Sequence, residues 1–250
     1  MRIAISGTAN TGKTTLINDF LVSWPNYTFN KFSYREKLTE MPHSKSSNED
    51  TQWFILNNML DDLQKYSKTD HVIFDRCPLD NLIYSIWLNT QNKVTDEFVT
   101  KCVPLIKESM RLLDIIFFIP LTNASPIELE DNGVRDIDPI FISEIDSIFK
   151  AVIDQYHYNI DKTAFFPRDD SPGIIEIFGK PEERIYLIKQ YLNVDGDVIG
   201  SEGDTILNAE NLEQLSTLLQ QQQGALASEN FEKDQINALR QFLNAKTNRS

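Results

Sequence analysis

Arg2-Ile3-Ala4-Ile5-Ser6 runs without a break into Gly7-Thr8-Ala9-Asn10-Thr11-Gly12-Lys13-Thr14-Thr15, and then into Leu16-Ile17-Asn18-Asp19-Phe20-Leu21. The first run has strand composition, the last has helix periodicity, and the glycine-bearing stretch between them fits G-x-x-x-x-G-K-[ST] in full. Each part of that pattern has a mechanical reason. Glycines allow backbone turns that aim successive N–H groups at one point. The helix that follows adds the partial positive charge of its N-terminus. Lys13 supplies a point charge for β- and γ-phosphate oxygens, and the Thr14 hydroxyl is a suitable Mg²⁺ ligand. With strand and helix in the right order around it, this is the most specific signal in the chain.

Outward from that loop, short apolar runs alternate with longer helical patterns, the signature of an α/β domain with a mostly parallel sheet. Strands are expected at 2–6, 27–32, 71–74, 114–119 and 174–178. Helices are expected at 13–22, 49–65, 78–88, 96–112, 139–160 and 181–192, with 41–48 a polar loop. Residues 122–138 are polar and acidic, broken by Pro126, Asn132 and Gly133. After Gly200 the composition shifts. Leu212, Leu215, Leu218 and Leu219 share one helical face, and Ile236, Leu239, Phe242 and Leu243 share another, with Gln220–Gln223 between them. Residues 1–198 therefore read as one domain and 199–250 as a helical extension. The apolar faces of the extension suit packing on the domain, on a protein partner, or on a second copy of the chain to give a homo-oligomer.

The chain has 250 residues, a formal net charge of −13, 41% hydrophobic residues and 10% aromatics. That is enough apolar material for a real core, which excludes wholesale disorder. The acidity argues against gripping an extended nucleic acid, which needs a concentrated basic face. A small anion held in one pocket remains compatible with it. With only Cys77 and Cys102, no disulfide framework is expected, and a reducing cytoplasm is the expected location. The most apolar stretch, Leu112 to Leu121, contains Asp114 and is half the length of a membrane helix, and MRIAIS lacks the features of a signal peptide.

A phosphate cradle does not by itself select a reaction. An Asn-Lys-x-Asp base-recognition motif, wanted by GTPases, is absent from the sequence. The third strand closes on a single acid followed by an arginine, Asp75-Arg76, where motor-type ATPases want an acidic pair. Open α/β sheets bind ligands at this carboxyl edge. There Asp75 could hold a metal-bound water or take the proton of an attacking hydroxyl, and Arg76 could fork onto an anionic group. A strand-capping ion pair is the plainer alternative. Asp80 suits orienting Arg76 or capping a helix, and Cys77 reads as a buried thiol.

Gly7–Thr15, Asp75-Arg76-x-Pro78-Leu79-Asp80-x-x-x-Tyr84 and Gly133-Val134-Arg135-Asp136 together resemble small P-loop kinases of nucleosides and nucleotides. The likeness is to the AAA-domain-like group that includes ribosylnicotinamide kinases, with thymidylate and deoxynucleoside kinases more distant. It covers residues 1–192. It implies a three-layer P-loop NTPase fold with a five-stranded parallel sheet and a lid over about 122–138. It also implies that Arg135 is the lid arginine closing over the phosphates, although Arg135 could equally pair with Asp131, Asp136 or Asp138. Arg35 and Glu36, after the second strand, would meet the acceptor, though they read equally as ordinary helix-start surface charges, and Tyr84 would line its site, where a core role is equally open. Phe178-Gly179-Lys180-Pro181 would border the adenine of the donor, with a plain strand-to-helix turn as the default reading. Many monophosphate kinases carry more than one lid arginine. Here Arg135 is the only basic residue between Pro120 and Phe149, which favours a less charged acceptor.

The reading that results is an ATP- and Mg²⁺-dependent phosphotransferase for a nucleoside, nucleotide or related small molecule. In it Lys13, Asp75, Arg76 and Arg135 do the chemistry, and Thr14 and Asp75 hold the metal. The alternatives are a regulatory nucleotide-dependent switch that binds a partner through its C-terminal helices, and a kinase for a nucleic-acid end.

Overall fold

In the computed structural model, which describes residues 1–30, 41–122, 138–159 and 164–199, strands and helices alternate as the periodicity requires. The strands are β1 (Arg2–Ser6), β2 (Thr28–Asn30), β3 (Val72–Asp75), β4 (Ile115–Phe118) and β5 (Gly173–Glu176). The helices described are α1 (Lys13–Ser23), α2 (Glu49–Lys65), α3 (Pro78–Thr90), α4 (Asp96–Ser109), α5 (Pro139–Asn159) and α6 (Pro181–Ile188). The five strands form one sheet in the order β2-β3-β1-β4-β5, and every neighbouring pair is parallel. Met1–Asp197 makes one compact unit.

The period-2 alternation of the strands feeds two separate cores. Ile3, Ile5, Ile73, Ile115 and Phe117 point to one face, where they bury Leu16, Ile17 and Phe20 of α1 and Ile188 of α6. Ala4, Val72, Phe74, Ile116 and Phe118 point to the other, against Leu56 and Met59 of α2, Leu82 of α3, Ile106 of α4 and Phe149 of α5. Both faces of the sheet are thus covered, and the near-continuous apolar character of β4 follows from that. Phe118 and Phe149 stack at 5.3 Å between ring centroids. Truncating a ring buried like this costs about 3–5 kcal/mol.

Helix starts follow from local chemistry. Asn48 caps α2 by accepting the Thr51 N–H at 3.0 Å, with Glu49 and Asp50 in the first turn. Thr95 caps α4 by accepting from Phe98 N at 3.2 Å, and its own hydroxyl donates to Glu49 at 2.7 Å. The two helix N-termini are thereby fastened together.

The departures from the sequence-based boundaries are small and have causes. Tyr27 leaves β2 because its hydroxyl turns inward to donate to the Gly196 carbonyl at 2.6 Å. The last turn of α4 tightens into a 3₁₀ turn at Met110–Leu112, ahead of the drop into β4. The polar loop at 41–48 contains a short 3₁₀ turn, Ser44–Ser46. β5 ends at Glu176, but Ile177 still donates to Phe118 O at 2.7 Å, so its pairing persists one bond further. α3 runs on to Thr90, and α6 stops at Ile188. Arg35, Glu36, most of the expected lid with Arg135, and the extension after Ile199 lie outside the described residues. Among the described residues, no helix is long and apolar enough to cross a membrane.

Candidate functional site

β1 is the central strand, flanked by β3 and β4, so the chain order reverses at its carboxyl end. This is the switch point at which open α/β sheets leave a crevice. The Gly7–Thr15 loop occupies it. Gly7 has φ +140°, and a Cβ there would sit 2.7 Å from the Ile119 carbonyl, so the loop can leave β1 only as glycine. Gly12 caps α1 in the left-handed region at φ +78°. Between them Asn10 also has positive φ, +61°, a conformation that Asn tolerates better than most residues. The loop is fixed from within. The Thr11 hydroxyl donates to Thr8 O at 3.1 Å, and the Thr8 hydroxyl donates to Ile142 O of α5 at 3.2 Å. Lys13 is buried, with its ammonium donating to Thr8 O and, at 3.3 Å, to the Thr11 hydroxyl. Ala9 is half-buried, and Thr14 and Thr15 are exposed at the first turn of α1.

The second segment lies beside the first. β3 pairs with β1 in a register that sets Asp75 opposite Ile5, and Arg76 N donates to Ile5 O at 2.9 Å. Asp75 is buried at 3% exposure. Arg76 has φ +86°, a strained geometry for a side chain of this size, and it turns the guanidinium back over the phosphate loop. Its Nη1 donates to Gly7 O at 3.1 Å and to Asp80 Oδ1 at 2.7 Å, and it lies 5.4 Å from the centroid of Tyr84. The sequence-predicted residues Lys13, Asp75, Arg76 and Tyr84 are therefore in one neighbourhood. Tyr84 is half-buried and also packs edge-on against Phe141.

Asp80 does both things suggested for it. One oxygen holds Arg76, and the other accepts from Cys77 N at 3.1 Å, closing the N-terminus of α3, and from the Ser6 hydroxyl at the end of β1. A carboxylate that is 1% exposed thus joins β1, the arginine and α3. Burial pushes the Cys77 thiol well above its usual range, with the Asp80 charge adding to it, so it stays protonated at neutral pH.

Two features were invisible in the sequence. Arg184, just past the first turn of α6, is 7% exposed and donates from Nε to Gly179 O at 3.0 Å and from Nη1 to Thr11 O at 2.6 Å. It reaches the phosphate loop from 173 residues away, and burial lowers its pKa. The available signal was a cation placed against the helix dipole directly after Glu182-Glu183. The other is a buried amide pair. Asn81 of α3 donates to the side chain and backbone carbonyls of Gln52 at 2.8 and 3.0 Å, and Gln52 donates to Ser47 at 2.8 Å. The exit of β4 is also held. Asp146 accepts from Leu121 N at 2.9 Å, and Lys150 donates to Leu121 O at 2.8 Å.

No group of three or more His, Cys, Asp or Glu side chains able to hold a metal occurs among the described residues. The oxygen donors at the loop are the exposed Thr14 hydroxyl and the Asp75 carboxylate. That set fits Mg²⁺, which takes one or two protein oxygens and fills its octahedron with water and phosphate.

Residues 2–163, from β1 to just past α5, match the AAA domain family. The chain belongs to this family. No curated protein matches the sequence. Among solved structures, the AAA domain resembles the deoxyadenosine kinase from M. mycoides with products dCMP and dCDP, at TM-score 0.55 and 16% identity over 76% of this chain and 97% of that one. The same kinase with bound dATP gives TM-score 0.51 and 17% identity, covering 76% of this chain and 98% of that one. The NadR protein in complex with NR gives TM-score 0.53 and 16% identity over 76% of this chain, which spans about half (51%) of the NadR chain. The fold is that of the P-loop kinases.

Proposed function

We propose that this AAA domain transfers the γ-phosphoryl group of ATP to a hydroxyl of a nucleoside or a closely related small molecule. The observation that carries the reading is the convergence of two cations on consecutive carbonyls of the phosphate loop. Arg76 holds Gly7 O, and Lys13 holds Thr8 O, with the Asp75 carboxylate next in sequence to Arg76. Phosphoryl transfer needs little covalent work from a protein, because positioning and charge stabilisation supply most of the catalysis.

In this reading the loop amides and Lys13 hold the β- and γ-phosphates. Asp75 accepts the proton of the attacking acceptor hydroxyl, and Arg76 stabilises the charge that spreads over the transferring group. A Mg²⁺ held by Thr14 and Asp75 would neutralise phosphate charge. Arg135 would add a second cation and Arg35 and Glu36 would meet the acceptor, roles that rest on the sequence resemblance. The fold's likeness to deoxyadenosine kinase and to NadR supports a nucleoside-type acceptor, and the single basic residue between Pro120 and Phe149 supports one with little negative charge.

Two substitutions test the assignment. Lys13→Ala should abolish transfer. Asp75→Asn should lower turnover by about 100-fold or more, the scale of a lost general base, a larger loss than in Mg·ATP affinity, while affinity for ATP without Mg²⁺ changes by less than about threefold. Near-normal turnover in both variants would remove the assignment. An equal fall in turnover and in Mg·ATP affinity for Asp75→Asn would leave Asp75 its metal role alone and remove it as proton acceptor.

A further inference from the structure

Arg184 is buried behind the phosphate loop with an unusual set of partners. Both groups it is bonded to, Thr11 O and Gly179 O, are neutral carbonyls, and among the described residues no carboxylate pairs with it. The nearest acid in sequence is already engaged, since Glu183 accepts from Lys180 N at 2.8 Å to close the start of α6. A buried guanidinium without a counter-charge is costly, and one near a helix N-terminus also opposes the helix dipole. An anion seated in the loop in front of it would offset both terms. The guanidinium is close enough to matter, because its Nη1 lies 2.9 Å from the point a Cβ on Gly12 would occupy. The same side chain spans two turns, the phosphate loop and the β5–α6 turn at 177–180.

We infer that Arg184 is a positioning residue of the donor site, lending positive charge to the phosphate loop and tying that loop to the β5–α6 turn, so that polyphosphate and base meet one connected frame. The inference rests on the reading that the loop holds a nucleoside triphosphate. The two contributions are separable. Charge acts on any polyphosphate, whereas the link to Gly179, where the sequence resemblance puts the base, acts only on a ligand that also carries one.

The test is calorimetric binding of ATP and of inorganic tripolyphosphate to the full chain, with thermal melts run alongside. The variants are Arg184→Gln, which removes the charge, and Arg184→Lys, which keeps it but cannot fork onto both carbonyls. Arg184→Gln should bind both ligands about tenfold more weakly, equivalent to ~1.4 kcal/mol, with the difference shrinking as salt rises. Arg184→Lys should bind tripolyphosphate within about threefold of wild type, yet lose at least threefold more affinity for ATP than for tripolyphosphate. The lysine variant decides the matter even if the glutamine variant does not fold. If Arg184→Lys binds both ligands like wild type, or weakens both equally, the inference is overturned. If wild type binds neither ligand, the nucleotide reading falls with it. If wild type binds both and the variants bind both as wild type does, only the role of Arg184 falls.

Discussion

Gly12 shows how tightly single positions are constrained at this site. Its φ of +78° excludes most side chains, and the space a Cβ would need is taken by Arg184 at 2.9 Å. Gly12→Ala should therefore cost about 1–3 kcal/mol in urea denaturation and weaken ATP binding, since both the strain and the displaced Arg184 fall on the phosphate loop. Arg76 and Asn10 share the positive-φ region with Ser44, His71, Asn92 and Asp170, but Arg76 is the one whose guanidinium is thereby brought onto the phosphate loop, at Gly7 O. The thiols are constrained by burial. Cys77 is wholly buried, and burial pushes Cys102 up to about 11. Neither should react with a disulfide reagent at pH 8 in the native protein, and both should react in urea. Prompt native labelling of either would contradict this placement. Lys13, Asp75 and Arg76 were legible in the sequence because their spacing is local. Arg184 was not, because its contact with Thr11 is made only once α6 packs beside α1, and no short motif encodes that approach.

Asp80 joins three elements, and its loss should be felt in all of them. Asp80→Ala would leave Arg76 without its carboxylate and the start of α3 without its cap, at about 3–5 kcal/mol, the cost of breaking a buried ion pair. Asp80→Asn keeps the shape and should keep most of the fold, while turnover falls because Arg76 is no longer held over Gly7. Equal turnover for Asp80→Asn and wild type would make Asp80 a cap alone. The elements themselves were readable because the inner strands β1, β3 and β4 are apolar on two faces, and the helices mostly on one. Their ends were less so. Tyr27 looks like a strand residue by composition, but its hydroxyl has a better partner in Gly196 O. The final turn of α4 reads as helix by periodicity, yet the approach to β4 compresses it to 3₁₀ geometry. In both cases a tertiary contact outweighed a local preference of a few tenths of a kcal/mol.

The formal charge of the chain is −13, and among the described residues several carboxylates are held by local partners that shape the pH response. Glu49 is lowered by the Thr95 hydroxyl, Asp70 by the N-terminal ammonium, Asp138 by Lys45 and Asp169 by Arg111. Carboxyls depressed in the folded state stabilise it above their unfolded values near ~4, and that stability is lost as pH falls through the folded values. Cys77, Cys102 and Tyr27 are raised, chiefly by burial. Their contribution is complete below the unfolded values, ~8.5 for the thiols and ~10 for tyrosine, and is lost as pH rises through the folded ones. Urea denaturation should give nearly constant stability between about pH 5 and pH 8. The fall on the acid side should be shallow, because those carboxyls are exposed and screened, and the alkaline fall steeper. A stability that climbs from pH 8 to pH 11 would contradict the burial of the thiols and Tyr27. The central claim is phosphoryl transfer from the loop at the end of β1 to a nucleoside-type hydroxyl. It is tested most directly by incubating the full chain with γ-labelled ATP, Mg²⁺ and a panel of nucleosides and nucleoside monophosphates, beside the Lys13→Ala variant. The account predicts label on a nucleoside-type acceptor with wild type and none with Lys13→Ala; label released only as inorganic phosphate whatever the acceptor, or equal transfer by the variant, would contradict it.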